Sequence, residues 1–278
     1  MRLDGKAIAQ KIFVDLKIKV EKLKEKGITP HLHIITLTTD SASNAYVSQK
    51  KLKGGEIGAK ITVEKLNPTT KIEELIGKVG KLNNDRNVHG IIIQRPIPEH
   101  IDESSIANSI NPNKDVDGFN PQSKFSPPVG EAVLEILREV YINKKNDLDF
   151  EKWLKSKDIT VVGRGVTAGR PIIKTFEKMR IAPNVITSKT ENRDEILKNS
   201  DIVICAVGRQ NVIKKSDIKK GAILVGVGMF KGEDEKFHSD YKEDDIKDTA
   251  SFYTPTPGGV GPVNVAMLLS NLVKTCKN

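Results

Sequence analysis

Cysteine is scarce in this chain: only Cys205 and Cys276 occur among its 278 residues. They lie far apart and lack the spacing of metal ligands, so neither a disulfide framework nor a zinc site is expected. The five histidines are scattered or alternate along a predicted strand, and we expect structural or surface roles for all of them. The sequence therefore predicts no bound metal.

Long apolar runs are missing as well. No stretch approaches the roughly 20 apolar residues that a membrane-spanning helix needs. The first residues, MRLDGKAIAQKIF, also lack the apolar stretch of a signal peptide. We therefore expect a cytoplasmic protein with no membrane partner.

Positive charge is in excess, with a formal net charge of +9. The lysines are spread along the chain with glutamates between them, as in EKLKEK at 21–26, which is typical of a solvated surface. No nucleic-acid motif is present, and no nucleic-acid partner is expected. A positive field would still attract small polyanionic ligands such as phosphorylated cofactors.

The length favours two domains, and the first half alternates strand and helix patterns. The predicted strands are 31–38, 61–66 and 88–94, and the predicted helices are 43–57, 72–82 and 131–141. This βαβαβ order predicts a parallel sheet. Between 111 and 128, Asn-Pro, Asp-Gly and paired prolines predict irregular structure. The polar segment NKKNDLD at 143–149 is the predicted domain boundary.

The second half restarts the alternation. Its predicted strands are 159–162, 184–187, 201–207 and 222–227, and a predicted helix ends near 180. This is a doubly wound pattern. A Gly/Pro loop then leads into a last helix with Pro262 in its first turn. We predict an α/β protein of two domains around a cleft: residues 1–141 completed by the helix 262–278, and a Rossmann-type parallel-sheet domain at 142–261.

Gly163-Arg164-Gly165 lies directly between a predicted strand and a predicted helix. Backbone amides and the helix N-terminus can receive a pyrophosphate at such a turn. The spacing departs from G-x-G-x-x-G by one residue, so a strand-to-helix turn that holds no ligand is the alternative. The turn favours a dinucleotide-binding second domain.

The residue that binds the ribose 2′-hydroxyl is expected about 20 residues beyond the glycines, where an NAD site usually has Asp or Glu. This chain has Thr187-Ser188-Lys189-Thr190 there, and Arg164 is available inside the turn. Cations and hydroxyls suit a 2′-phosphate, so NADP is preferred over NAD. The alternative is that Lys189 is an ordinary surface lysine.

Tyr46 and Lys50 are four residues apart on a predicted helix, so their side chains share one face. Gln94 closes the carboxyl end of a predicted strand, and sites in parallel sheets lie at that edge. These three polar groups are candidates for one site. Spacing alone favours the plainer interpretation that Tyr46 is a half-buried packing residue and Lys50 is a surface charge.

Five segments together resemble one family in their order and spacing. The sequence is similar to the bifunctional methylenetetrahydrofolate dehydrogenase/methenyltetrahydrofolate cyclohydrolase family over nearly its whole length. The segments are YVSQK (46–50), IIIQRPIP (91–98), NPNKDVDGFNP (111–121), VVGRGVTAGRP (161–171) and TPTPGGVGPVNVAMLL (254–269).

The resemblance implies roles for individual residues. Lys50 corresponds to the active-site lysine, Tyr46 positions it and stacks beside the folate, Gln94 bonds to the lysine, and Asp117 holds the pterin. The loop that contacts folate corresponds to Pro257, Gly258 and Gly259, and the positions that meet the NADP 2′-phosphate correspond to Arg164 and Ser188. Residues 1–141 would then form the catalytic, folate-binding domain.

The resemblance also implies the chemistry. The enzyme would oxidise 5,10-methylenetetrahydrofolate with NADP and then hydrolyse the methenyl cation to 10-formyltetrahydrofolate at the same site. Tetrahydrofolate derivatives are the expected substrates, and a homodimer is the expected assembly. A partly desolvated lysine with a lowered pKa, near a cationic substrate, is suited to activating water.

The chain departs from the family pattern at several positions. Ser126-Pro127-Pro128 replaces Cys-Thr-Pro, Arg95 replaces Leu, Gly165 replaces Ser, Gly226 replaces Asp, and Met229-Phe230 replaces Ile-Asn.

Two other functions are possible: a two-domain dehydrogenase of the shikimate or amino-acid type, and a non-enzymatic dinucleotide-binding module. A panel of substrates distinguishes that dehydrogenase from the folate enzyme, and salt-sensitive binding to DNA or RNA would indicate the module.

Overall fold

The structure is a computed structural model that describes residues 1–38, 40–144 and 147–276. The chain divides into two compact units. The N-terminal unit consists of Gln10–Pro128 and the chain from Val265 onward, and the central unit consists of Met1–Ala9 and Val129–Asn264. No helix in the described ranges is long and apolar enough to cross a membrane.

Helices and strands alternate through most of the chain. The helices are α1 (Gly5–Lys24), α2 (Ser41–Glu56), α3 (Ile72–Asn84), α4 (Glu103–Ser109), α5 (Pro128–Asn143), α6 (Phe150–Lys155), α7 (Gly169–Lys178), α8 (Arg193–Asn199), α9 (Glu243–Ile246) and α10 (Val260–Thr275). The strands are β1 (His31–Thr36), β2 (Lys60–Lys65), β3 (Gly90–Gln94), β4 (Ile159–Val162), β5 (Asn184–Ile186), β6 (Ile202–Cys205), β7 (Ile223–Gly226), β8 (Met229–Lys231), β9 (Phe237–Ser239) and β10 (Phe252–Tyr253).

The N-terminal unit contains a parallel sheet in the order β2-β1-β3. The central strand β1 is buried along its whole length, as expected of a parallel strand covered on both faces. One face of β1 and β3 packs on Leu75 and Val79 of α3. The order of the strands reverses between β1 and β3, which places the ligand edge of this sheet at their carboxyl ends. The predicted βαβαβ arrangement is confirmed.

The central unit contains a five-stranded parallel sheet in the order β10-β7-β6-β4-β5. The chain runs outward from β4 to β5 and then returns to the other side of β4 through β6, so the switch point lies between β4 and β6. The predicted doubly wound α/β fold is confirmed. The antiparallel hairpin β8–β9 and the short edge strand β10 were not predicted.

The observed division differs from the predicted boundary at 141/142. Helix α5 confirms the predicted helix but belongs to the central unit, because a Cβ at Gly130 would lie only 2.0 Å from Thr175 Oγ1 of α7. The ring of Tyr141 also lies 5.7 Å from that of Trp153. At the other end, Leu3 N donates to the Tyr253 carbonyl, which places the first residues in the central unit.

Two parts of the predicted organisation fall partly outside the described residues. They are residues 145 and 146 of the predicted boundary segment and residues 277 and 278 of the predicted last helix. That helix is present as α10 and begins at Val260, two residues before the predicted start.

Candidate active site

Helix α2 carries a buried lysine to the carboxyl end of β3. Asp40 caps this helix, since its Oδ2 accepts from Ser43 N at 2.7 Å. Lys50 follows on α2 and is only 7% exposed, and its Nζ donates to Gln94 Oε1 at 2.9 Å. The plainer interpretation of Lys50 as a surface charge is therefore wrong. Tyr46 lies one turn earlier on the helix and is half-buried.

The amide of Gln94 is oriented by the backbone of the next residue. Its Nε2 donates to the Arg95 carbonyl oxygen at 2.8 Å, so its Oε1 points to Lys50. Ser43 Oγ donates to the same carbonyl at 3.2 Å. The loop after β3 and the first turn of α2 thus fix an acceptor against a buried amine, which has to be hydrogen-bonded where water is excluded.

Burial and neighbouring charges shift the titration of this group. Burial lowers the pKa of Lys50, and the negative charge of Asp117 offsets part of that shift. Burial raises the pKa of Asp117, whereas the charges of Lys50 and Arg95 lower it. Burial also raises the pKa of Tyr46. Lys50 thus reaches its neutral, basic form more readily than an exposed lysine.

Asp117 lies on a loop that is held by Asp115. The buried Asp115 carboxylate accepts from Gly118 N at 3.1 Å and from Asn120 N at 2.8 Å. Burial raises the pKa of Asp115 to about 6. Gly118 has φ 72°, and a Cβ there would lie 2.9 Å from the Phe125 carbonyl oxygen, so only glycine fits. Within the described residues no hydrogen bond reaches the Asp117 carboxylate, which leaves it available to donors of a ligand.

The glycine turn of the central unit lies at the switch point of the sheet. Gly163 has φ 94°, and a Cβ there would lie 2.6 Å from the Ala206 carbonyl oxygen, which follows β6. A Cβ at Gly169 would lie 2.1 Å from the Gly163 carbonyl oxygen, whereas one at Gly165 would meet no atom within 4 Å. The constrained pair is therefore Gly163 and Gly169. The sequence interpretation named Gly163-Arg164-Gly165 and did not single out Gly169, although Gly169 stands at the start of the predicted helix.

Arg164, Ser188 and Lys189 lie in the loops after β4 and β5, and all three are exposed. These two strands are neighbours, and Gly163 N donates to the Ile186 carbonyl at 2.8 Å. Neither Arg164 nor Lys189 has an ion-pair partner in the part of the chain that the structure describes. Two free cations at the edge of a dinucleotide turn suit a phosphate group.

The loop after β6 is anchored by a buried carboxylate that sequence analysis missed. Asp240 is 0% exposed and accepts from the backbone N–H groups of Val207, Gly208 and Arg209 at 3.0, 2.7 and 2.8 Å. Since this loop touches Gly163, Asp240 shapes one wall of the turn. Only a tertiary contact links residues 33 positions apart, so no local pattern could have revealed it.

The predicted folate loop at 257–259 follows β10. Pro257 is exposed, Gly258 has φ 100°, and a Cβ at Gly259 would lie 2.5 Å from the Pro255 carbonyl oxygen. Thr254 supports the loop, because its Oγ1 accepts from Gly226 N at 2.8 Å and its carbonyl accepts from Tyr241 Oη at 2.7 Å. Both glycines are therefore required by the backbone.

Gly226, one of the departures from the family pattern, has a packing reason. A Cβ at this position would lie 2.6 Å from Ser239 Oγ and 3.0 Å from Tyr241 Oη. An aspartate does not fit beside the buried Tyr241. Of the other departures, Phe230 stacks on His238 in the hairpin, with ring centroids 5.6 Å apart.

The structure brings Lys50, Gln94 and Asp117 together in the N-terminal unit and groups the predicted cofactor residues at one sheet edge in the central unit. A doubly wound unit with a constrained glycine turn defines a dinucleotide-binding protein, and a buried lysine with a lowered pKa is a common feature of enzyme sites. A model of the tetrahydrofolate dehydrogenase/cyclohydrolase catalytic domain matches residues 3–117, and a model of the NAD(P)-binding domain of the same family matches residues 130–278.

The chain belongs to the tetrahydrofolate dehydrogenase/cyclohydrolase family. Bifunctional protein FolD of Lactococcus lactis is 36% identical over 281 residues, which cover 98% of this chain and 95% of that protein. Bifunctional FolD of Campylobacter jejuni matches with TM-score 0.91 and 34% identity, covering 100% of this chain and 99% of that one. FolD of Trypanosoma brucei, solved with NADP and an inhibitor, has TM-score 0.89 and 29% identity and covers 100% and 97%.

Proposed function

We propose that Lys50, Tyr46, Gln94 and Asp117 form the folate site of a bifunctional enzyme of one-carbon metabolism. The enzyme oxidises 5,10-methylenetetrahydrofolate to 5,10-methenyltetrahydrofolate with NADP and hydrolyses the product to 10-formyltetrahydrofolate. The observation that carries the site assignment is the buried Lys50 Nζ, held 2.9 Å from Gln94 Oε1. The match over nearly the whole chain favours this function over the shikimate, amino-acid and non-enzymatic alternatives.

In this proposal Lys50 handles the protons of the hydrolysis. Its neutral amine accepts a proton from the water that attacks the methenyl carbon, and its ammonium form returns a proton to the leaving nitrogen. Gln94 Oε1 holds the amine in place during both steps. Asp117 offers acceptor oxygens to the N–H donors of the pterin, and the ring of Tyr46 stacks beside the folate. Pro257, Gly258 and Gly259 are proposed as further folate contacts.

The central unit fits an NADP molecule. Gly163 and Gly169 allow close approach of the backbone at the turn, and Arg164, Ser188 and Lys189 offer positive charge and a hydroxyl to a 2′-phosphate. The backbone of Gly165, which is open to solvent, is proposed to take part in binding. When it is bound, NADP supplies the hydride acceptor. The chain itself contributes alignment of the donor carbon, which is the main requirement of hydride transfer.

Removing the two cations tests the cofactor assignment. The double variant Arg164→Ala/Lys189→Ala is expected to lower kcat/KM for NADP by about 10- to 100-fold, because each charge-assisted hydrogen bond to phosphate contributes about 1.5–3 kcal/mol, partly screened here. The value for NAD is expected to change little. Lys178→Ala, at the other end of α7, is the control. Equal losses with both cofactors would contradict the assignment.

A substrate panel tests the function. Absorbance at the nicotinamide band is followed with methylenetetrahydrofolate, shikimate and amino acids, each with NADP and NAD in parallel. We expect reduction of NADP with methylenetetrahydrofolate alone. Reduction with shikimate or an amino acid, or no reduction with the folate, would refute the proposal.

A homodimer in the cytoplasm completes the proposal. The homodimer rests on the resemblance to the family, and the cytoplasmic location is the expectation from the sequence. Sedimentation of the purified full chain would test the oligomeric state, with a mass twice that of the 30.7 kDa chain expected.

A further inference from the structure

Arg95 places a second cation beside the lysine–glutamine pair, at a position where the family usually has leucine. It directly follows Gln94, and its side chain is only 10% exposed. Its carbonyl oxygen accepts from Gln94 Nε2, so its backbone already belongs to the site. A buried guanidinium is costly unless something compensates its charge.

Two contacts hold the guanidinium in one place. Its central carbon lies 4.0 Å from the centroid of the Phe119 ring, and its Nη1 lies 2.6 Å from Glu103 Oε2 in the first turn of α4. Arginine stacks well on aromatic faces because its guanidinium is planar. Its Nε and Nη1 are both buried, and neither has a hydrogen-bond partner within the described chain, so the contact with Glu103 is an ion pair without hydrogen-bond geometry. The charge is thus fixed in position by stacking and ion pairing.

The Arg95 charge acts on the carboxylate of Asp117. Arg95, Phe119 and Asp117 line one small cavity, together with Asp115 and apolar side chains such as Ile106. The charge of Arg95 lowers the pKa of Asp117 against the larger effect of burial. Among the described residues, two other ionisable groups interact electrostatically with Asp117: Lys50 from α2, and Asp115 from the same loop.

The proposed reaction gives this second cation a role in this chain. Lys50 has to be neutral when it accepts a proton, and at that stage it no longer balances a buried carboxylate. Arginine keeps its charge at every pH at which proteins fold. With leucine in its place, Asp117 and Lys50 would titrate as a coupled pair, and Asp117 would tend to hold the proton that the reaction needs elsewhere.

We propose that Arg95 is a positioning residue of the folate site: its fixed positive charge keeps Asp117 as a carboxylate for the pterin and leaves Lys50 free to lose its proton. The inference rests on the function proposed above. Glu103 neutralises only part of the charge, because it is 41% exposed and its field is screened by water.

The test is the pH dependence of the dehydrogenase in Arg95→Leu. The acid limb of kcat/KM for methylenetetrahydrofolate is expected to move to higher pH by about one unit, because an opposite charge at close range is removed from Asp117. At pH values below this limb, kcat/KM of the variant is expected to be about tenfold lower than that of the wild type, chiefly because KM is higher. At pH values above it, the two enzymes should have the same kcat/KM. Arg95→Lys, which keeps the charge, is expected to restore most of the original limb. A loss that is equal at all pH values would overturn the proposal.

A matched control separates charge from packing. Arg138 also stacks on an aromatic ring, with its central carbon 4.2 Å from the centroid of Phe150, and it also pairs with a glutamate. Arg138→Leu is expected to leave the pH profile unchanged. If it shifts the limb as much as Arg95→Leu does, the effect is not local to the folate site and the proposal is wrong.

A readout without substrate distinguishes failure of this inference from failure of the proposed function. The carboxyl carbon of Asp117, labelled with ¹³C, is titrated by NMR in the free protein, with Asp117→Asn used to assign the signal and to separate it from that of Asp115. The pH midpoint of its titration is expected to rise by about one pH unit in Arg95→Leu, as in the kinetic profile. An unchanged midpoint overturns the inference even if folates bind. A shifted midpoint in a protein that ignores folates supports it and refutes only the function.

Discussion

Lys50→Met is expected to lower the rate of methenyltetrahydrofolate hydrolysis by about 10²- to 10⁴-fold, the usual contribution of a positioned acid–base group. Methionine fills nearly the same volume on α2 but can neither accept a proton nor donate to Gln94 Oε1. The rate is followed by the loss of methenyl absorbance under saturating substrate. Hydrolysis at the wild-type rate would show that Lys50 does not carry the proton.

The fold is expected to survive this change. Burial lowers the pKa of Lys50 in the folded state. The folded protein therefore holds fewer protons at this group than the unfolded chain, and ionised Lys50 costs stability below its unfolded pKa. Replacing it with methionine removes that cost but leaves Gln94 Oε1 without its donor. Since the two effects oppose each other, Tm should change little. Lys51→Met, at the exposed neighbouring position, controls for the loss of one charge on α2 and should leave hydrolysis unchanged.

Gly169→Ala is expected to separate the two activities. The new Cβ would lie 2.1 Å from the Gly163 carbonyl oxygen and 2.9 Å from Arg164 Cα, and neither atom belongs to a flexible side chain. The turn or the start of α7 must move by about 1 Å, and a misplacement of that size costs roughly 100-fold in rate. Dehydrogenase activity should fall by that factor, whereas hydrolysis needs no cofactor and should persist.

The comparison for this variant is another glycine on a helix. A Cβ at Gly77 of α3 would meet nothing within 4 Å, so Gly77→Ala should retain both activities and gain up to about 1 kcal/mol of stability. Overpacking at Gly169 should in turn cost about 1–3 kcal/mol, which thermal unfolding measures. If Gly169→Ala reduces both activities in parallel, the change has damaged the fold and the turn is not specific to the cofactor.

Sequence periodicity predicted the two parallel sheets because buried parallel strands are continuous apolar runs, as in Ile159–Val162. It missed β8, β9 and β10, which are two or three residues long and too short to show a period. The predicted domain boundary lies after α5, whereas the observed division lies before it. The packing of α5 on α7 depends on Gly130 and Thr175, which are 45 positions apart. Such contacts leave no local signal.

The candidate site was predicted unevenly. Tyr46, Lys50 and Gln94 could be grouped by helix spacing and by strand ends, but only the tertiary structure shows that the lysine is buried and bonded. The family resemblance supplied the proposed role of Asp117. No motif revealed three other features, because each depends on contacts formed only in the folded chain. They are the close approach of the backbone at Gly169, the three amides bound by Asp240, and the stacking of Arg95 on Phe119.

The claim that one folate site serves both reactions is tested most directly by competition. Initial rates of NADP reduction are measured against methylenetetrahydrofolate concentration at several concentrations of methenyltetrahydrofolate. We expect purely competitive inhibition, with an inhibition constant close to the KM of the hydrolysis. Inhibition that lowers kcat and leaves the KM for methylenetetrahydrofolate unchanged would place the two reactions at separate sites and contradict it.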